Sequence, residues 1–143
     1  MTQVAIAGAA GRMGRHLIEA CVHMPETTLT VALEQAQNSF VGSDAGAVAG
    51  VGLLEVPIDS QLTDKIEKFD VLVDFTQPTA TLEHLAFCRQ HQKRMVIGTT
   101  GLTHSQQERI EQAAADIAIV WAPNMSIGMN VVFKLLEIAA QAF

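Results

Sequence analysis

Val4 to Gly14 read VAIAGAAGRMG: a short apolar strand, glycines at three-residue intervals, and the start of a helix. That succession is how a dinucleotide-binding fold begins. Gly8 lets the chain turn tightly off the strand, Gly11 leaves the backbone open to a pyrophosphate, and Gly14 lets the helix pack close to the sheet. Ala9, Ala10, Arg12 and Met13 complete the candidate cofactor-binding loop. The helix after it offers unpaired N–H groups and a positive dipole end to the phosphates. The spacing is GxxGxxG rather than GxGxxG, so the loop alone leaves open a glycine-rich turn that binds no nucleotide.

The residues downstream of the loop narrow the choice. Thr28 to Glu34 (TLTVALE) alternates like a second strand and ends in an acid about 20 residues beyond Gly14, the interval expected for a carboxylate that accepts hydrogen bonds from the adenosine ribose. A solvated glutamate at a strand end is the alternative for Glu34. Beside it, Gln35 stands about where enzymes that prefer a 2′-phosphate place an arginine. Arg12, however, is a cation in the first turn of a helix, where it opposes the dipole and suits an anion. That anion is the pyrophosphate or a 2′-phosphate, and the residues leave NADH and NADPH both open.

Composition sets the outer limits. With 143 residues, of which 49% are hydrophobic, the chain can bury one core and is about one domain long. The net charge of −6 and scattered lysines and arginines argue against a nucleic-acid surface. No leader pattern or membrane-length apolar run is seen, and the expected location is the cytoplasm. Cys21 and Cys88 fall among apolar neighbours on predicted helices, as reduced core cysteines do. Nothing suggests a metal site.

Apolar strand candidates alternate with helical patterns: Val4–Ala7, Thr28–Glu34, Leu53–Pro57, Val71–Phe75, Met95–Gly98 and Ile117–Ala122. Six strands with helical crossovers predict an α/β fold, a doubly wound (Rossmann), mostly parallel sheet with helices on both faces. Arg12 to Met24 stops at Pro25, Pro78 to His91 has helical spacing, and Thr103 can cap a run to Asp116. Gln35 to Gly52, rich in Gly and Ala, reads as a mobile loop near the adenosine end.

In such a sheet ligands lie beyond the carboxyl ends of the strands. Besides the first loop, those ends are Phe75-Thr76-Gln77-Pro78, Gly98-Thr99-Thr100-Gly101 and Ala122-Pro123-Asn124-Met125. The Gly98–Gly101 turn offers backbone groups and two hydroxyls without bulk, which suits a nicotinamide ribose and carboxamide. Asn124 can donate and accept at once. Ordinary strand-ending turns use the same residue types; their convergence on one crevice favours the ligand.

Together, VAIAGAAGRMG, Glu34, VDFTQP (Val73–Pro78), VIGTTG (Val96–Gly101) and APNMSIGMN (Ala122–Asn130) resemble 4-hydroxy-tetrahydrodipicolinate reductase, also called dihydrodipicolinate reductase, of diaminopimelate and lysine biosynthesis. The resemblance covers essentially the whole chain. It implies a Rossmann domain followed by a mixed domain that binds a dicarboxylate substrate and builds a homotetramer, with NADH or NADPH delivering hydride. It also implies that Gly8 to Gly14 bind the pyrophosphate, Glu34, next to the candidate Gln35, the adenosine ribose, and Gly98, Thr99 and Thr100 with Ala122, Pro123, Asn124 and Met125 the nicotinamide half. Thr100 would also face the substrate.

The chain departs from that family where it stops, at Phe143. The family's catalytic pair of adjacent histidines, with a lysine a few residues on, would come after this point, so no catalytic residue is expected here. His16, His23, His84, His91 and His104 read as surface or packed residues. The expected division is residues 1–125 as a dinucleotide-binding domain and 126–143 as the first helix of a truncated substrate-binding and oligomerisation domain. From Ile127 to Phe143, Asn130, Lys134, Glu137 and Gln141 form one polar stripe on an otherwise apolar helix, which expects partners on more than one side and favours self-association of the fragment. A helix that closes its own domain is the alternative. Two other functional classes remain: a semialdehyde dehydrogenase or acyl-phosphate reductase, which needs a nucleophilic cysteine where this chain has none after Cys88, and a non-catalytic NAD(H)-sensing module.

Overall fold

Alternation along the first strand divides the core in two. In the computed structural model, β1 (Thr2–Ala7) turns Val4 and Ile6 to one face of the sheet and Ala5 and Ala7 to the other, the period of two that every strand obeys. All four are buried. The described residues run from Met1 to Ala142; Phe143, the end of the expected last helix, lies outside them.

The strands are β1, β2 (Thr27–Leu33), β3 (Ile58–Asp59), β4 (Val71–Asp74), β5 (Arg94–Ile97) and β6 (Ile119–Trp121). They form one sheet in the order β3-β2-β1-β4-β5-β6, and every strand pair is parallel. The helices are α1 (Arg12–His23), α2 (Ala45–Ala49), α3 (Pro78–Gln90), α4 (His104–Ala113) and α5 (Ile127–Ala142). Ile18 of α1 and Ala45 of α2 cover the Val4 and Ile6 face. Leu82, Leu85 and Cys88 of α3, with Ile110 and Ala113 of α4, cover the other. The doubly wound sheet expected from the sequence is therefore present. Its strand order reverses between β1 and β4, and a crevice opens beyond the carboxyl ends at such a point.

Two expectations need correction. Leu53–Pro57 is not a strand. The Asp44 carboxylate accepts the N–H groups of Leu54 (3.1 Å) and Val56 (3.2 Å), and Glu55 has a φ of 57°, so backbone donors that a ladder would need are spent on a side chain. The edge strand is instead Ile58–Asp59. The stretch Gln35–Gly52, read as a loop, contains α2. Asp44 caps that helix by accepting the Ala47 N–H at 2.9 Å, and Ala45 and Gly46 are buried. By contrast, the cap expected at Thr103 forms with its reciprocal partner: Thr103 Oγ1 accepts from Gln106 N–H while Gln106 Oε1 accepts from Thr103 N–H.

Candidate functional site

The glycine loop is shaped by contacts that no side chain could share. Gly8 has a φ of +74°, and its N-terminal neighbour ends β1. A Cβ on Gly14 would collide with the Gly8 carbonyl oxygen and stand 2.7 Å from Ala9 Cα. The sequence pattern has Gly14 accommodating the sheet; the close partner is the loop backbone itself. Ala9 N–H donates to Leu33 O at 2.9 Å, and Gly11 N–H to Gly8 O at 3.0 Å, which tie the loop to β2 and to itself. Behind it, Arg15 Nε donates to Ala10 O (2.9 Å) while its guanidinium lies over the Phe40 ring. Helix α1 starts at Gly11 with no side-chain cap and no acid in its first turn, so its positive end remains open to an anion.

Glu34 closes the loop from the side. Its Oε2 accepts from Ala10 N–H at 3.2 Å and its Oε1 from Gln35 N–H at 3.0 Å. The carboxylate at the end of β2 and the glycine loop at the end of β1 are thus one unit. They open on a cleft of about 810 Å³ lined by Gly8, Gly11, Glu34 and Gln35, by Ser60–Thr63 on one side, and by Phe75, Thr76, Gln77, Thr79, His84 and Phe87 on the other. A glycine cradle, an open helix start and a carboxylate beside it fit a nicotinamide dinucleotide. A smaller groove between α3 and α4 has Arg89 engaged by Asp116.

The residues expected around the nicotinamide do not line that cleft. The two hydroxyls expected of Gly98–Gly101 are not equivalent: Thr100 is exposed, but Thr99 is buried and its Oγ1 lies 2.7 Å from Thr81 Oγ1. Gly98 is small because the Phe75 ring occupies the space a Cβ would need. Asn124 Oδ1 accepts from Ser126 N–H at 2.8 Å and so shapes the entry to α5. Ala122 is partly exposed, and Pro123 and Met125 are exposed.

Sequence reasoning missed a buried group behind the crevice. Asp74, the last residue of β4, is fully buried. Its Oδ1 accepts from Thr76 N–H (2.9 Å) and Thr76 Oγ1 (2.6 Å), and its Oδ2 is 2.7 Å from His84 Nδ1. Burial works to raise its pKa, but the hydrogen bond and charge of His84 and the Thr76 donors outweigh that, holding the carboxyl below the usual range. His84, expected to be a surface or packed residue, is thus a half-buried partner of a buried acid. A signal was present: Thr81 and His84 are three residues apart on α3 and share a face, downstream of a strand that ends in Asp. Cys88, one turn further on, is pushed up to about 12, first by burial and then by the Asp74 charge. It is an inert thiol, as is partly buried Cys21, also raised by burial.

A family profile described as "Dihydrodipicolinate reductase, N-terminus" matches residues 2–125. The chain belongs to the dihydrodipicolinate reductase family. Within that family it corresponds to the NAD(P)H-binding N-terminal domain. The dipicolinate-bound dihydrodipicolinate reductase of Paenisporosarcina sp. TG-14 superposes with a TM-score of 0.75 at 28% identity, over 98% of this chain and 54% of that one. The chain therefore spans about half the length of that enzyme. An aspartate semialdehyde dehydrogenase with NADP from Candida albicans (TM-score 0.61, 12% identity, 85% of this chain and 42% of that one) shares the fold. So does the WlbA dehydrogenase of Bordetella pertussis, in complex with NADH and UDP-GlcNAcA (TM-score 0.61, 17% identity, 85% and 34%). No helix among the described residues is long and apolar enough to cross a membrane.

Proposed function

We propose that this chain is the cofactor-binding half of a reductase that transfers hydride to 4-hydroxy-tetrahydrodipicolinate in diaminopimelate and lysine biosynthesis. The observation that carries the reading is the joining of Glu34 to Ala10 at 3.2 Å within the glycine loop, which sets a ribose acceptor beside a phosphate cradle. In this reading Gly8 to Gly14 hold the pyrophosphate and Glu34 the adenosine ribose. Gly98 to Thr100 and Ala122 to Met125, which lie outside the lining of the cleft, are assigned to the nicotinamide half by the resemblance to the family. The cofactor supplies hydride; the chain's residues bind and orient it.

NADH binds at least as well as NADPH, because Glu34 repels a 2′-phosphate and Gln35, which is exposed, cannot pair with it electrostatically. Arg12 is also exposed and is the cation through which that preference could be offset. Residues 126–143 begin a second domain that binds the dicarboxylate substrate and builds a homotetramer. That domain supplies the proton donor and cationic groups the reaction needs. The 143-residue chain then binds cofactor without turning over, in a cytoplasmic enzyme in which Cys21 and Cys88 stay reduced. A semialdehyde dehydrogenase chemistry is disfavoured, since Cys88 is buried with its thiol held protonated.

The test is a coupled assay with the purified chain: NADH binding without substrate-dependent NADH oxidation is expected. Oxidation of NADH on adding 4-hydroxy-tetrahydrodipicolinate would overturn the division of labour.

A further inference from the structure

We propose that Asp74 is the positioning residue of the cofactor crevice: one buried carboxylate that ties the β4–α3 turn and the His84 ring, which line the crevice, to the Gly98–Thr100 turn beside them. This role rests on the cofactor-binding function proposed for the cleft and extends it to residues that bear no assigned role.

A buried carboxylate costs several kcal/mol in lost hydration unless every lone pair is used, and an apolar side chain would often fill the same space at no loss of stability. Asp74 is 0% exposed and sits on a strand whose other side chains are all valine or leucine. Its partners do not come from the core around it. They are Thr76 on the turn after β4, Thr81 (3.3 Å) and His84 on α3, and Thr99 (3.4 Å) on the turn after β5. Every one belongs to a segment at the carboxyl edge of the sheet. Thr81 and Thr99 have two hydroxyl hydrogens between them: one spans their 2.7 Å contact and the other reaches Asp74. The α3 start and the Gly98–Thr100 turn are thereby locked to one atom.

Two links run outward to the cleft. The Thr76 methyl packs on Gly8, where an added Cβ would stand 3.0 Å from it, so the Asp74 network reaches the phosphate loop. His84 lines the cleft with 21% of its side chain exposed. An ionised carboxylate only accepts, so His84 Nδ1 carries the hydrogen of this contact and Nε2 is the ring nitrogen left for another partner. Asp74 thus sets both where the ring stands and which ring nitrogen is left to meet a polar group of the nucleotide, such as a ribose hydroxyl.

The experiment compares wild type, Asp74→Asn, Thr99→Val and Thr99→Ser in the 143-residue chain. Three readouts are taken: NADH titration calorimetry, histidine ¹⁵N spectra without cofactor, and thermal unfolding. Expected are an Nδ1–H signature for His84 in wild type that is lost in Asp74→Asn, NADH affinity at least tenfold weaker in Asp74→Asn and Thr99→Val, and affinity within twofold of wild type in Thr99→Ser. A folded Asp74→Asn with wild-type affinity, or an unchanged His84 signature, overturns the proposal. If Asp74→Asn does not fold, the Thr99 pair decides, and equal affinity of its Val and Ser variants overturns it. If wild type itself binds no NADH, the cofactor reading fails separately. In that case displaced amide signals at Thr76 and Thr99–Thr100 in Thr99→Val, restored in Thr99→Ser, still support the positioning role, and unmoved signals overturn it.

Discussion

Helices α1 and α5 both come after the carboxyl end of a parallel strand, yet they meet opposite fates. Helix α1 is amphipathic: it buries Gly14 and Ile18 against its own sheet and leaves His16, Glu19 and His23 in solvent. Helix α5 is far more apolar, with Val131, Val132, Phe133, Leu135, Leu136 and Ile138 all 45–61% exposed. Every residue from Ile127 to Gln141 is exposed. Among the described residues, then, α5 is not covered by the sheet as α1 is. Apolar content does not bury a helix; a complementary surface does, and α1 has one within the chain while α5 does not. An exposed apolar face of this kind is what the proposed second domain or a second copy would cover.

The contrast can be broken at either helix. Gly14→Ala should give the largest effect, because its Cβ meets loop backbone rather than a flexible side chain. Overpacking of about 1–3 kcal/mol, applied directly to the phosphate loop, is expected to weaken NADH binding by roughly 30-fold or more; affinity within twofold of wild type would show that α1 is not held by that contact. At the other helix, Phe133→Lys with Leu136→Lys should abolish self-association seen by sedimentation, at about 1.5–3 kcal/mol per apolar side chain removed from a contact, and leave NADH affinity unchanged. A wild-type chain that sediments as a monomer with α5 rigid and exposed would contradict this.

Smaller effects sharpen the α1 side. Glu34→Gln keeps the shape but removes the charge that receives Ala10 N–H; NADH affinity should fall about tenfold, in line with about 1.5–3 kcal/mol for hydrogen bonds to charged groups, and the preference for NADH over NADPH should shrink. Burial opposes ionisation of Asp74, but its donors hold its pKa below the usual value. Its contribution to stability is therefore fully present above the unfolded value of about 3.9 and lost as pH falls through the lower folded value. The stability gap between wild type and Asp74→Asn should therefore close as pH falls below about 4, as denaturant titration at each pH would reveal.

Legibility tracked the range of the forces. The turn at Gly8 could be read because a φ of +74° is written into the residue type. The α4 cap could be read because Thr103 and Gln106 are three apart. The edge strand was misplaced because Asp44 captures donors ten and twelve residues away, a choice no local pattern records. Asp74 was missed for the same reason: a strand-end acid looks solvated until Thr81, His84 and Thr99 fold over it. The glycine loop is visible in local spacing, whereas the network behind it exists only in three dimensions.

Titration of the wild-type chain with NADH in a calorimeter tests the cofactor-binding claim most directly. Saturable one-site binding is predicted, which Gly14→Ala abolishes or severely weakens. No heat and no thermal protection up to millimolar NADH, a limit of about −4 kcal/mol, would contradict it.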